Sequence, residues 1–161
     1  MNPPVTAVVA LGSNLDDPES HVRRAFDDLA ALAETRVSAR SALYRTAPVG
    51  YADQPAFVNA CAKLETRLAA RALLDALLAI ERRHGRERGI PNGPRTLDLD
   101  LVLYGGTRID DAGLTVPHPR AHERAFVLAP LVDAWPEAVI PGAGPARDLL
   151  AKLGTAGVER L

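Results

Sequence analysis

The chain has 161 residues, the length of about one domain, and its 19 basic and 20 acidic side chains give a formal charge of −1 at pH 7. This balance excludes a globally basic surface for nucleic acid or an anionic membrane, and the single cysteine, Cys61, excludes an internal disulfide and a cysteine-rich zinc site. Since no apolar run approaches the roughly 18 residues of a membrane span, we expect one cytoplasmic domain over residues 1–161 with no nucleic-acid or membrane partner.

The N-terminal part of the sequence predicts a strand, a helix and a second strand. VTAVVALG, residues 5–12, is rich in β-branched residues and leads into a turn. Asp17 is expected to cap the helix, which begins at Pro18 and repeats apolar residues at helical spacing, namely Val22, Phe26, Leu29 and Leu32. Residues 36–44 then predict a strand, and residues 45–55 predict a loop because they are punctuated by proline and glycine.

Residues 57–66, FVNACAKLET, are predicted as a third strand with two different faces. Alternation places four apolar side chains on one face, namely Val58, Ala60, Ala62 and Leu64. Phe57, Asn59 and Cys61 fall on the other face. A second helix is predicted over about 70–84, where leucines repeat at helical spacing.

A fourth strand is predicted from Leu97 to Tyr104, and a short hairpin is expected around 107–116. Helices near 122–133 and 146–153 complete the chain. The main elements follow the order βαββαβ, which is typical of the α+β ferredoxin-like plan, an antiparallel sheet with helices on one face, here with a C-terminal helical extension. We expect this plan to leave the other face of the sheet available for a site.

The fourth strand, within GPRTLDLDLVLYGG at residues 93–106, carries two aspartates two residues apart. Alternation predicts one face with Leu97, Leu99, Leu101 and Leu103, turned to the helices, and another with Asp98, Asp100, Val102 and Tyr104. The two aspartate Cα atoms would then lie about 6.5 to 7 Å apart. An isolated pair of this kind is commonly a solvated strand face, but it also suits Mg²⁺, which takes one or two protein carboxylates and completes its shell with water and phosphates.

Five arginines precede the aspartates within ERRHGRERGIPNGPR, residues 81–95, namely Arg82, Arg83, Arg86, Arg88 and Arg95. Guanidinium groups bind phosphate oxygens through paired hydrogen bonds. Arg82 and Arg83 also suit a helix C-terminus, whereas Arg86 and Arg95 favour a phosphate site. The sequence lacks the P-loop and protein-kinase motifs, so phosphate binding would depend on arginine and metal.

Several motifs in order, LGSN, YRTAPVG, QPAFVNA, GPRTLDLDLVLYGG and TVPHPRAHERAF, closely resemble the 6-hydroxymethyl-7,8-dihydropterin pyrophosphokinases of the folate pathway. The resemblance runs from about Ala10 to Leu128. It implies a ferredoxin-like fold, small-molecule substrates and transfer of pyrophosphate from ATP, the co-substrate, to the hydroxymethyl group of the pterin, with release of AMP and with two magnesium ions. A monomer is expected, and the end at Leu161 suggests an enzyme without a fused partner.

The resemblance also implies roles for individual residues. Asp98 and Asp100 would be the metal ligands and, with Arg86 and Arg95, the catalytic residues. The ATP-binding residues would be Arg86, Arg88, Arg95, His118 and Arg124. The pterin would be held by Thr46, Pro48, Val49, Gly50, Phe57, Asn59 and Phe126. Since phenylalanine and buried asparagine are also ordinary core residues, a structural role stays open for Phe57, Asn59 and Phe126.

One departure and two rival functions accompany this interpretation. Asn92 stands where many members of the family have an aromatic residue before Gly-Pro-Arg, which affects how the loop would close over ATP.

A two-metal nucleotidyltransferase would also use paired aspartates and arginines, but it would release pyrophosphate instead of AMP. A ferredoxin-like module that binds RNA or another ligand is the other alternative, although aromatics are only 4% of the chain and no R-G-F-x-F strand is present. The sequence identifies no general base.

Overall fold

The computed structural model describes residues 3–15, 17–46, 55–85 and 96–161. The α-helices within these ranges are Pro18–Ala30 (α1), Ala70–Arg83 (α2), Ala125–Ala134 (α3) and Ala146–Leu153 (α4), with a short 3-10 helix at Ala121–Glu123. The strands are Val5–Ser13 (β1), Thr35–Arg40 (β2), Tyr44–Thr46 (β3), Phe57–Thr66 (β4), Asp98–Tyr104 (β5), Ile109–Asp111 (β6), Leu114–Val116 (β7), Val139–Ile140 (β8), Gly144–Pro145 (β9) and Val158–Arg160 (β10). None of the described helices is both long and apolar enough to cross a membrane.

The fold is α+β, built on an antiparallel sheet of six strands. Its strand order is β10-β3-β4-β1-β5, and β2 also pairs with β4. The single strand predicted over 36–44 is wrong, because β2 ends at Arg40 and β3 begins at Tyr44. Between them Ser41 stays tied to β4, donating its N–H to the Cys61 carbonyl and accepting the Cys61 N–H on its hydroxyl, both at 2.9 Å.

One face of the sheet packs against α1 and α2. This core includes Ala7, Val9 and Leu11 of β1, Val58, Ala60, Ala62 and Leu64 of β4, Leu99 and Leu101 of β5, Val22, Phe26 and Leu29 of α1, and Leu73, Leu77 and Ile80 of α2. The faces predicted for β4 and for the first helix are therefore confirmed. Asp17 occupies the predicted N-cap position, directly before Pro18, but it adopts a left-handed conformation, with φ of 64°, and its side chain makes no capping hydrogen bond.

Part of the opposite face packs against α3 and α4 in a second core. This core includes Val8, Cys61, Val102 and Leu103 of the sheet, Val127, Leu128 and Leu131 of α3, and Ala146 of α4. The two helices between the main strands lie on one face, as predicted, but the expectation that the other face stays free is wrong, since the C-terminal helices cover part of it. α3 is apolar along most of its length, with the sequence AFVLAPLVDA, and it buries that surface on the sheet. A functional site on this face is restricted to the part that α3 leaves uncovered.

A β-bulge divides β5 into two segments. Val8 of β1 pairs with Leu103 and Val9 pairs with Leu101, so Val102 is an extra residue in the ladder. The predicted alternation holds through Val102 and is wrong for Leu103 and Tyr104, because Leu103 joins the second core. Tyr104 instead packs against the first core and donates its hydroxyl to the Leu68 carbonyl at 2.6 Å.

Candidate active site

A cavity of about 370 Å³ opens on the uncovered part of the second sheet face. Strands β1, β3, β4 and β5 form its floor, and the segment that leads into α3 forms a wall. The lining residues are Ala10, Leu11, Gly12, Thr46, Phe57, Asn59, Ala60, Asp98, Asp100, Arg120, Glu123, Arg124, Ala125, Phe126 and Val127. The fold thus brings predicted metal-binding, ATP-binding and pterin-binding residues into one cavity.

Asp98 and Asp100 lie on the same face of β5, before the bulge. Asp98 pairs with Gly12 of β1 and Asp100 pairs with Ala10, and both aspartates are partly buried in the cavity wall. Leu99 between them points into the first core. The alternation of the strand therefore separates core from cavity, as the sequence predicted.

Glu81 supports this strand from the C-terminal end of α2. Its side chain is buried, and Oε2 accepts the backbone N–H of Leu99 at 2.7 Å. Leu99 lies between the two aspartates, so this bond fixes the backbone from which both carboxylates project. No sequence motif pointed to Glu81, although a signal was present, since Glu81 continues the buried face of α2 four residues after Leu77 and eight after Leu73.

The chemistry of the donor set bears on which cation the site could hold. No cluster of three or more His, Cys, Asp or Glu side chains suited to a metal occurs among the described residues. A zinc-type site needs at least three protein ligands. Magnesium needs fewer, since it takes one or two carboxylates and fills the remaining positions with water and substrate phosphates. Asp98 and Asp100 fit a magnesium ion in this way.

Arg124 places a guanidinium group in the same cavity. Its Cζ atom lies 5.5 Å from the centre of the Phe126 ring, a cation–π contact that orients both side chains. Burial lowers the pKa of Arg124, the charge of Arg120 lowers it further, and Asp100 acts in the opposite direction. Arg124 stays protonated at neutral pH because the usual pKa of arginine is so high. The cavity therefore presents a fixed cation close to two carboxylates.

His118 lies beside this cavity, not on its wall. It lines a neighbouring cavity of about 540 Å³, and its backbone N–H donates to the Val102 carbonyl at 3.0 Å. Its Nδ1 accepts the backbone N–H of Arg120 at 3.2 Å, so the neutral ring carries its proton on Nε2. Burial lowers the pKa of His118, Arg124 also lowers it, and Asp98 raises it. The neutral form, with one Nε2–H donor, is thereby favoured at neutral pH.

The described residues of the predicted pterin site lie in the lining of the 370 Å³ cavity. Thr46, Phe57, Asn59 and Phe126 all line it. Asn59 is 9% exposed, and its Nδ2 donates to the Thr46 hydroxyl at 2.7 Å. Phe57 and Phe126 are partly exposed, which departs from plain core packing. The remaining predicted site residues, Pro48, Val49, Gly50, Arg86, Arg88 and Arg95, lie outside the described residues, as does Asn92.

Since the family resemblance implies that Asn59 binds the pterin, we predict that Gly12→Ala weakens pterin binding through a shift of Asn59. A Cβ atom on Gly12 would lie 3.0 Å from the Asn59 Oδ1 atom, so Asn59 would have to shift. Small misplacements of binding groups are costly, and we expect KM for the pterin to rise about tenfold with KM for ATP nearly unchanged. Steady-state kinetics would measure both. Gly106→Ala is the matched control, because its Cβ atom would meet nothing within 4 Å. Equal KM values for both variants would contradict the prediction.

Comparison with known proteins agrees with this arrangement. Residues 8–136 match a family model described as 7,8-dihydro-6-hydroxymethylpterin-pyrophosphokinase (HPPK). The chain is 49% identical over 153 residues to the 2-amino-4-hydroxy-6-hydroxymethyldihydropteridine pyrophosphokinase of Pseudomonas aeruginosa, covering 95% of this chain and 94% of that protein. It is 43% identical over 155 residues to the protein of the same name from Methylorubrum extorquens, covering 96% of this chain and 98% of that one.

Solved structures show the same fold. An HPPK-DHPS structure of Plasmodium falciparum, solved with pterin and p-hydroxybenzoate, superposes with a TM-score of 0.75 at 14% identity over 99% of this chain. The chain spans about half the length of that protein, 48% of it. Since the family model covers most of the chain and the relatives match it nearly end to end, this chain belongs to the 7,8-dihydro-6-hydroxymethylpterin-pyrophosphokinase (HPPK) family, the pyrophosphokinases of folate biosynthesis.

Proposed function

We propose that the 370 Å³ cavity is where this enzyme transfers pyrophosphate from ATP to the hydroxymethyl group of 6-hydroxymethyl-7,8-dihydropterin, releasing AMP. One observation carries the assignment. Asp98 and Asp100 open into the same cavity as Arg124, Phe57, Asn59 and Phe126. The two carboxylates suit a metal-bound polyphosphate, and the two aromatic side chains with a buried amide suit a flat heterocycle. Both substrates can therefore meet within one site.

Asp98 and Asp100 would hold two magnesium ions, as the resemblance implies. Bound magnesium would neutralise charge on the phosphate chain and orient it for transfer. The bond from Leu99 to Glu81 keeps both carboxylates in place on β5. Arg124 and the Nε2–H of His118 would donate to phosphate oxygens of ATP. Arg86, Arg88 and Arg95 stay predicted ATP-binding residues, with Arg86 and Arg95 also predicted to stabilise charge in the transition state.

The pterin would lie between the rings of Phe57 and Phe126. Stacking on aromatic rings favours a planar, electron-poor ring system and fixes its orientation. Asn59 and Thr46 would bind the polar edge of the ring, and their mutual bond of 2.7 Å holds both groups ready. The same edge is also predicted to contact Pro48, Val49 and Gly50. Such an arrangement would present the pterin hydroxyl to the β-phosphorus, so that catalysis depends on positioning and electrostatic stabilisation.

Product identity tests this assignment. We expect the protein, incubated with Mg²⁺, ATP and the hydroxymethyl-dihydropterin, to form AMP in equal amount to the pterin diphosphate, measured by chromatography and ³¹P NMR. Release of pyrophosphate with a pterin-linked AMP would instead indicate a nucleotidyltransferase, which attacks at the α-phosphorus. Omitting Mg²⁺ should stop AMP formation, and unchanged formation in the presence of a chelator would contradict the role of Asp98 and Asp100.

Several broader features also belong to the proposal. The neighbour order β5, β1, β4 and β2, antiparallel throughout, supports the ferredoxin-like plan for the main sheet. A single domain over residues 1–161, a monomeric state, a cytoplasmic location and the lack of a nucleic-acid partner stay predictions from the sequence.

A further inference from the structure

Arg120 and Glu123 line the active-site cavity together with Asp98, Asp100 and Arg124. The Nε–H of Arg120 donates to Oε1 of Glu123 at 3.0 Å, and the two side chains are 62% and 50% exposed. We propose that Arg120 is a further ATP-binding residue, whose terminal NH₂ groups bind the phosphate chain while Glu123 holds its Nε. This inference rests on the proposed placement of ATP in the cavity.

The backbone of Arg120 is fixed on both sides. Its N–H donates to Nδ1 of His118 at 3.2 Å, and its carbonyl accepts the N–H of Glu123 at 3.1 Å. Arg120 therefore occupies the N-cap position of the short 3-10 helix, beside His118. A side chain that starts from a fixed backbone position and is held at Nε loses less conformational entropy when its remaining donors bind a ligand.

The chemistry of guanidinium favours phosphate as the ligand. The group has five N–H donors in one plane, so a bond from Nε to a carboxylate leaves the terminal nitrogens able to donate to an anion. Phosphate matches this donor pattern with two parallel hydrogen bonds. The pterin ring is uncharged and offers no comparable partner. Arg120 is thus suited to ATP and not to the second substrate.

The charge of Arg120 acts on the other cationic groups of the site. After burial, it is the strongest influence that lowers the pKa of Arg124, and it also lowers the pKa of His118. Like charges held in one cavity repel each other, and a bound polyanion removes that repulsion. The carboxylate of Glu123 offsets part of this repulsion, since its negative charge raises the pKa of Arg124. The hydrogen bond from Arg120 lowers the pKa of Glu123 in turn.

Isothermal titration with a non-hydrolysable ATP analogue and Mg²⁺ tests the proposal. We expect Arg120→Gln to raise Kd for the analogue about tenfold at low salt and less at high salt, because Arg120 is largely exposed and its charge is screened. Pterin affinity should stay within about twofold. Arg23→Gln is the matched control, since Arg23 pairs with Glu19 at 3.3 Å at similar exposure, but on α1.

Further variants separate charge from orientation. Arg120→Lys keeps the charge without the planar group and should lose about threefold in affinity. Glu123→Gln keeps an acceptor for Nε. This variant should bind the analogue at least as well as the parent protein. A loss of affinity equal to that of Arg120→Gln would overturn the role given to Glu123. A structural role of Arg120 would weaken pterin binding equally and without salt dependence, which would also overturn the proposal.

Arg124→Ala and Asp98→Asn show whether a negative result concerns Arg120 alone or the placement of ATP in the cavity. If Arg124→Ala and Asp98→Asn weaken analogue binding while Arg120→Gln does not, the inference is wrong and the proposed site stands. If none of the three changes binding, ATP does not occupy this cavity, and the proposed placement is wrong as well.

Discussion

Asp98→Asn and Asp100→Asn should each lower kcat on the order of a thousandfold. Each substitution removes one carboxylate from the cavity wall while keeping the size of the side chain. A neutral amide is a poor ligand for magnesium, so the phosphate chain of ATP would lose both its charge neutralisation and its orientation. Initial-rate measurements of AMP formation at saturating substrates and increasing Mg²⁺ would give the effect.

Asp75→Asn provides the control for these variants. Asp75 is exposed on α2, so its replacement should leave kcat unchanged. Thermal unfolding of all three variants would show whether the fold is retained. We expect the melting temperatures to stay close together, because Asp98 and Asp100 are only partly buried and contribute nothing to the core. A kcat within tenfold of the parent value for either variant would contradict the metal-ligand assignment.

Phe126→Ala should raise KM for the pterin by about one to two orders of magnitude. Stacking of a flat ring on an aromatic side chain contributes about 1–3 kcal/mol, and that contribution is lost with the ring. Arg124 also loses the ring face that its guanidinium contacts at 5.5 Å, so KM for ATP should rise by a smaller factor. The paired rise in both KM values is the distinctive expectation, and steady-state kinetics with each substrate varied in turn would measure it.

Phe126→Leu distinguishes stacking from simple packing. Leucine restores most of the apolar volume but offers no aromatic face. If Phe126 served mainly as a core residue, leucine would restore pterin binding and alanine would lower the melting temperature markedly. If the ring stacks on the pterin, leucine should leave most of the loss in place. Phe57→Ala should weaken pterin binding with little effect on ATP, because the cation–π contact of Arg124 is made with Phe126.

The sequence identified the family, and its local patterns placed several of the predicted site residues on the strand faces that line the cavity. Alternation in β5 placed Asp98 and Asp100 together on one face, and alternation in β4 placed Phe57 and Asn59 opposite Val58 and Ala60. The family resemblance that the ordered motifs indicated is confirmed by the family model over residues 8–136. These predictions succeed because side-chain direction in a strand depends on the backbone of that strand alone.

Other features lay beyond the local pattern. Periodicity gave no sign of the bulge at Val102, because a bulge depends on pairing with β1. It also could not show that α3 covers part of the second face, or that residues 36–44 form two strands. His118 was predicted among the ATP-binding residues but lines the adjoining cavity, although Asp98 and Arg124 both affect its pKa.

The sequence by itself therefore determined which residue types meet on each face of a regular strand segment and which chemistry they suit. Only the tertiary structure decided what covers each face and which distant groups support the site. Glu81 reaches Leu99 from another element, and Arg120 and Glu123 enter the cavity because the segment before α3 folds over β5. Such contacts join residues far apart in the chain, and they depend on packing between elements that no single segment encodes.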